Sequence, residues 1–532
     1  MGMLMFKRIF FRSFVESSGA TQAVFTFLLI PCCLTQDFTA PPLIPNISFL
    51  WGWNVPTERC ATQFNVQLDL SLFSITGSPL KSATGQAITL FYADRLGYYP
   101  HISEKTGQSI HGGIPQLGSL QKHLHKAKND ISHYIETEGV GLAVIDWENW
   151  RPIWARNWKP KDIYKRLSIE LVHHQHVQLN DTEAAERAKV DFENAGKCFM
   201  LKTLKLGKSL RPNYLWGYYL FPDCYNHNIK NPSYNGSCPD VEYKRNDELN
   251  WLWNESTALF PSIYLNSKLK SSPNASLFVR NRVQEAIRVS KVSSAKQPLP
   301  VFVYTRPVFT DLDLKYLSEG DLVNTIGETV SLGVSGMIIW GSLNFSQNVQ
   351  SCTELDSYMK NTLNPYLINV TLAAKMCNQV LCQERGVCAR KNWNSSDYLH
   401  LNPVSFTIQL EKSGNYTVHG KPTLEDLQEF SNKFYCLCYA NVNCKERADM
   451  AKIHTVKVCM AEDICIDAFL NAEPSDYHSR WKKHDTLGNI LSSILPSTAS
   501  PCVPGQGLSR CRKARFLARQ TRADSKTTQV GY

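Results

Sequence analysis

Between about residue 45 and residue 345, short apolar runs alternate with amphipathic stretches, and this alternation limits the fold more than any other feature. The runs Phe49–Asn54, Ser71–Ile75, Ile88–Tyr92, Val140–Ile145, Trp216–Leu220, Pro261–Leu265, Val301–Tyr304 and Met337–Trp340 are of strand length and nearly continuous in apolar character. Leu117–Ile135, Asp162–His173, Thr182–Lys208, Val279–Val289 and Asp321–Leu332 lie between them and carry helical spacing. Strand–helix repetition with strands apolar on both faces predicts a parallel sheet covered by helices. Seven or eight such units over this length favour an α/β fold closed as a distorted (β/α) barrel of the TIM type, spanning residues 36–365.

The flanking segments differ. In residues 1–35, Lys7, Arg8 and Arg12 precede the run Ala23–Ile30, the pattern of a secretory signal. Seventeen cysteines, fifteen beyond that segment, suit an oxidising compartment. Nine Asn-x-Ser/Thr sequons, at Asn46, Asn180, Asn235, Asn254, Asn274, Asn344, Asn369, Asn394 and Asn415, predict N-glycosylation. Secretion is the common expectation, with no membrane span after signal removal.

From 366 to 470 the cysteines crowd with spacing C-x4-C-x5-C and then C-x-C-x5-C, predicting a disulfide-stapled, EGF-like module. Residues 471–532 read as a flexible basic tail. No apolar run closes that tail, so it offers no GPI signal and the expected product is released from cells. The net charge of +10 is concentrated at the two ends, with +6 from residue 502 onward and +2 in the first 35 residues. The +2 left for the rest gives no ground for a nucleic-acid partner, and a polyanionic ligand would need a local basic cleft.

Chemistry in a parallel barrel gathers at the carboxyl ends of the strands. Gly141-Leu-Ala-Val-Ile-Asp146-Trp-Glu148 places two carboxylates at such an end, two residues apart and so on one side of an extended chain. Close carboxylates do not both ionise freely, and a glycosidase uses that division to keep one acid protonated. The segment 146–158 adds four tryptophans and two arginines, residues suited to stacking on sugar rings and pairing with uronate carboxylates. A buried tryptophan cluster is the plainer alternative.

This segment resembles the active-site motif of animal hyaluronidases, the glycoside hydrolases of bee venom and mammals. The likeness continues through Leu215–Asn226, Leu259–Tyr264, Val308–Asp311 and Ile338–Gly341, covering roughly residues 40–470. The stretches Asn157-Trp-Lys-Pro-Lys-Asp162 and Asn364–Cys377 bring it nearest the mammalian sperm-surface type. The resemblance implies an endo-β-N-acetylhexosaminidase that hydrolyses β-1,4 linkages of hyaluronan with retention, the substrate's own acetamido oxygen acting as nucleophile. Glu148 matches the proton donor, and Asp146 and Tyr264 match residues that hold the acetamido group. Tyr219 and Asp311 match polar residues of the cleft, Tyr92 and Trp340 substrate-binding aromatics, and Arg151 and Arg288 arginines that meet glucuronate carboxylates. It also implies the pairs Cys60–Cys352, Cys224–Cys238, Cys377–Cys388, Cys382–Cys436, Cys438–Cys444 and Cys459–Cys465, leaving Cys198, Cys502 and Cys511 unassigned.

No cofactor or metal is implied. Sperm passage through the egg's hyaluronan-rich matrix is, with egg-coat glycoproteins as further partners and the sperm surface or acrosome as the place. Chondroitin stays open as a second substrate. Three departures from the family are present: Pro307 falls where a barrel strand would lose a ladder donor, Asn149 replaces a common acid at a position that varies, and the apolar tail usual in sperm-type members is missing. Pro307 therefore keeps a rival reading alive, a catalytically impaired glycan-binding or adhesion protein on the same fold. A metal site on His173, His174 and His176 is a weak third, since they lack helical ligand spacing.

Overall fold

The structure, a computed structural model, describes residues 38–291 and 297–470. The signal-like segment, the tail, Cys502 and Cys511 lie outside them. Strands form where the apolar runs predicted them, and they pair in parallel. One sheet orders Ile88–Tyr92, Gly141–Asp146 and Tyr214–Tyr218; the other orders Ile75–Thr76, Leu50–Asn54, Gly336–Trp340 and Phe302–Thr305. Parallel bridges Tyr219–Phe260, Leu259–Val301 and Ser262–Tyr304 link the two sheets through residues 259–262.

Two expected strands are shortened, each for a local reason. At Pro261–Leu265 the ladder is reduced to those bridges, because Pro261 has no N–H to donate; its carbonyl still accepts from Tyr304 at 2.8 Å. At Ser71–Ile75 the Asp69 carboxylate captures the Ser71 N–H at 3.0 Å and turns the chain, so only Ile75–Thr76 pair. There the backbones nearly touch: a β-carbon on Gly77 would lie 2.3 Å from the Ile88 carbonyl.

Alternate strand residues face opposite ways. Leu50, Ile88, Leu90, Leu142, Val144, Phe260, Phe302, Tyr304 and Ile338, drawn from both sheets, share one buried cluster. Their neighbours Trp51, Trp53, Phe91, Ala143, Ile145, Trp216, Val303 and Met337 pack in a second cluster with the helices Leu120–Tyr134, Asp181–Leu210 and Pro273–Ser290. The helix expected at Asp321–Leu332 is broken by a π-helical turn at Val323–Gly327.

The cysteine-rich part has more regular structure than its spacing suggested. Helix Asn364–Val380 runs across the expected boundary at residue 366 and is mostly buried in the main cluster. Gly386–Arg390 pairs antiparallel with Phe434–Tyr439, and Phe38–Thr39 adds in parallel. Two hairpins complete it, Phe406–Leu410 with Tyr416–Gly420 and Thr455–Ala461 with Ile464–Phe469. The described residues fall in one compact unit. Among the described residues six disulfides are present, Cys60–Cys352, Cys224–Cys238, Cys377–Cys388, Cys382–Cys436, Cys438–Cys444 and Cys459–Cys465, the pairing the resemblance implied. Cys198 is free and exposed. Of the sequon asparagines, Asn46, Asn180, Asn235, Asn254, Asn394 and Asn415 are exposed, while Asn274, Asn344 and Asn369 are half-buried.

Pro307 corrects an expectation. The strand ends at Thr305, two residues earlier, so proline removes no strand ladder bond there. Its carbonyl instead accepts from the Leu317 N–H at 2.9 Å in the loop beyond.

Candidate active site

Asp146 is the last residue of its strand, opposite Tyr92 in the neighbouring one. What aims the carboxylate pair is the residue between them. Trp147 is buried, its ring stacked on Tyr99 at 4.6 Å and edge-on to Tyr218 at 5.8 Å. With Trp147 turned into the core, Asp146 and Glu148 are left on the other side of the extended chain. Asp146 is half-buried, whereas 47% of the Glu148 side chain is exposed. Burial, followed by the Glu148 charge, holds the Asp146 carboxyl well above the ordinary carboxylate range, with Arg151 opposing.

Arg151 is buried and grips Glu148 twice, donating to its Oε2 at 3.0 Å and to its backbone carbonyl at 2.9 Å. Burial works against the Arg151 charge, yet Tyr225, Glu148 and Asp223 together raise its pKa above the ordinary value. Lys161 adds a donor to the same Glu148 carbonyl at 2.5 Å. A buried cation beside the exposed Glu148 carboxyl, and burial around the Asp146 carboxyl, give the pair two unlike environments.

An aromatic wall adjoins the pair. The Trp340 indole donates to the Tyr92 hydroxyl at 3.2 Å and stacks on Tyr264 at 6.0 Å. Tyr219 lies 6.0 Å from Tyr264 and donates to Ser262 Oγ at 3.3 Å. Burial first, then the Asp146 charge, pushes the Tyr92 hydroxyl up to about 12. Tyr219, Tyr264 and Tyr304 are raised too, chiefly by burial, so all four remain neutral hydroxyls able to donate.

The structure thus brings Asp146, Glu148, Arg151, Tyr92, Tyr219, Tyr264 and Trp340 together. It does not bring in Arg288, which lies exposed on helix Pro273–Ser290 and is held by Glu285 at 2.7 Å and Asp247 at 2.8 Å. Asp311 is exposed, its carboxylate accepting from the Ser267 N–H and hydroxyl at 2.8 and 2.6 Å, which lowers its pKa. The tryptophan-rich segment also needs correcting. Trp147 and Trp150 are core residues, and Arg156 is buried against Glu242 at 2.6 Å; of the four tryptophans only Trp158 is exposed. The plainer reading holds for most of that segment.

Sequence reasoning missed Ser262, Tyr304 and Arg306. Tyr304 and Arg306 sit at the carboxyl end of an anticipated strand, so the strand-end rule that found Asp146 applied to them as well. Among the described residues His173, His174 and His176 join no cluster of three metal-ligating groups, and His173 pairs with Asp181 at 3.2 Å. The three close cysteines Cys436, Cys438 and Cys444 are all disulfide-bonded.

Residues 38–449 match the protein family described as hyaluronidase. The chain belongs to the hyaluronidase family. This hyaluronidase is 66% identical to Hyaluronidase PH-20 of Homo sapiens over 93% of its own length and 99% of that protein's. It is 59% identical to Hyaluronidase-5 of Mus musculus over 96% and 97%. Among solved structures it resembles bee venom hyaluronidase in complex with a hyaluronic acid tetramer, at TM-score 0.53 and 32% identity over 60% of this chain and 98% of that one.

Proposed function

We propose that this hyaluronidase is an endo-β-N-acetylhexosaminidase that hydrolyses β-1,4 linkages of hyaluronan by substrate-assisted, retaining catalysis. The observation that carries the reading is the unequal carboxylate pair: Asp146 raised by burial and by its neighbour's charge, Glu148 exposed and steadied by Arg151. Two interacting carboxyls titrate as a unit, so the site holds one proton between them. In the reacting form that shared proton sits on Glu148 and Asp146 is ionised; the acetamido oxygen attacks C1 while the glycosidic C1–O bond breaks, and Glu148 gives the proton to the leaving oxygen. Asp146, ionised in that form, faces the acetamido N–H as positive charge develops on that group. Tyr264 and Tyr219 hold the acetamido group in line, and Trp340 and Tyr92 wall the sugar face. Water then opens the cyclic intermediate with Glu148 as base, restoring the starting configuration.

The same proposal places the two sheets in one distorted (β/α) barrel. The linking bridges through 259–262 and the single interior cluster fed by both sheets support closure. The segment after Val380 is its EGF-like appendage, with Cys377–Cys388, Cys382–Cys436 and Cys438–Cys444 as staples. The six disulfides among the described residues and the exposed sequons support secretion, and the resemblance supports a role in sperm passage through the egg's matrix. With Pro307 outside the strand, nothing specific favours the adhesion reading.

The test is digestion of size-defined hyaluronan oligosaccharides with proton NMR of the fresh products. New reducing ends in the β configuration are expected. No cleavage, or initial α-anomers, would overturn the mechanism.

A further inference from the structure

A polyanionic chain needs a cation near the cleft, and the arginines first expected to supply it are committed elsewhere. Arg151 is bonded to Glu148 and Arg288 to Glu285 and Asp247. Arg156 pairs with Glu242, Arg282 with Asp223, and Arg95 with Asp94. Arg306 differs. It follows the strand Phe302–Thr305 at its carboxyl end, and its guanidinium carbon lies 5.3 Å over the Trp340 ring and 5.9 Å over the Tyr264 ring. Those two rings are themselves stacked, so one cation covers both. Among the described residues Arg306 has no carboxylate partner, and its Nε–H is buried without an acceptor.

We infer that Arg306 binds a glucuronate carboxylate of the substrate, seating the uronate beside the Tyr264–Trp340 wall. An unfilled buried donor is costly, and a ligand oxygen that accepts from it recovers that loss. The guanidinium presents parallel N–H groups that match a carboxylate, while the rings fix its plane. The carboxylate pair is served by Arg151, so Arg306 acts on an adjoining sugar and belongs to binding, not to proton transfer. The inference rests on the hyaluronan reading above.

The experiment compares native hyaluronan oligosaccharides with the same oligosaccharides methyl-esterified at their carboxylates, for the wild type, Arg306→Ala and Arg306→Lys. The wild type is expected to lose about tenfold or more in kcat/KM on the ester, mainly through KM. Arg306→Ala should lose a similar factor on the native substrate and little more on the ester. Arg306→Lys should retain part of the discrimination, because it keeps the charge without the fork. Equal wild-type kinetics on the two substrates overturns the inference however the variants fold, and so does undiminished discrimination in Arg306→Ala. Failure of the wild type to cleave either substrate would instead sink the hyaluronan reading itself.

Discussion

Arg151 holds Glu148 at both ends, one guanidinium nitrogen on the carboxylate Oε2 at 3.0 Å and another on the backbone carbonyl at 2.9 Å. The paired contacts fix where the exposed carboxylate points, so the clamp sets geometry more than affinity. Arg151→Lys keeps a charge but cannot make both contacts. We expect kcat to fall by roughly tenfold to a hundredfold with KM changed far less, since misplacing a reacting group costs mainly in the chemical step. Steady-state kinetics on hyaluronan decides it; an unchanged kcat means the clamp is idle.

Beneath the pair, His123 is buried edge-on to Trp147 at 5.4 Å, accepts the Tyr98 N–H at 3.0 Å and meets Thr203 Oγ at 2.8 Å. Burial lowers its pKa to about 4 from 6.5. A depressed histidine contributes stability that is present above pH 6.5 and lost as pH falls toward 4, because the unfolded chain takes up the proton first. The loss is on the order of 3 kcal/mol. His123→Gln should show a shallower fall in denaturation midpoint across that window than the wild type. His400, also lowered to about 4, leaves a residual slope in both. Parallel curves would show that His123 does not carry the effect.

The Cys60–Cys352 bond spans 292 residues and Cys459–Cys465 only 6. Loop-closure entropy then predicts losses of roughly 5 kcal/mol for Cys60→Ala/Cys352→Ala and about 2 kcal/mol for Cys459→Ala/Cys465→Ala. Denaturant midpoints of the two double variants provide the check, and the reverse order would refute the chain-entropy account.

How much of this was legible beforehand depends on what each residue's role requires. That Asp146 and Glu148 share one side of a strand end was readable because strand, tryptophan and acid follow one another in the chain. The run Ile88–Tyr92 was bounded correctly because both its faces are apolar. Long-range pairing was not readable: nothing near Arg288 announces Asp247, and nothing near Arg156 announces Glu242, yet those acids remove both arginines from the cleft. Trp147 and Trp150 looked like sugar platforms because sequence cannot say which aromatic faces turn inward. Pro307 looked disruptive because a strand's end is the least certain part of its reading, and here the end comes two residues earlier.

The central claim is that Glu148 delivers the proton and does not merely bind. Glu148→Gln preserves shape and keeps a side-chain oxygen for Arg151 but cannot give up a proton. Turnover of hyaluronan and equilibrium binding of a hyaluronan oligosaccharide, measured on the same folded variant, separate the two roles. The account predicts turnover reduced by at least about 10²-fold with binding within a few-fold of the wild type. Near-normal turnover in the folded variant, or binding lost along with it, would contradict the assignment.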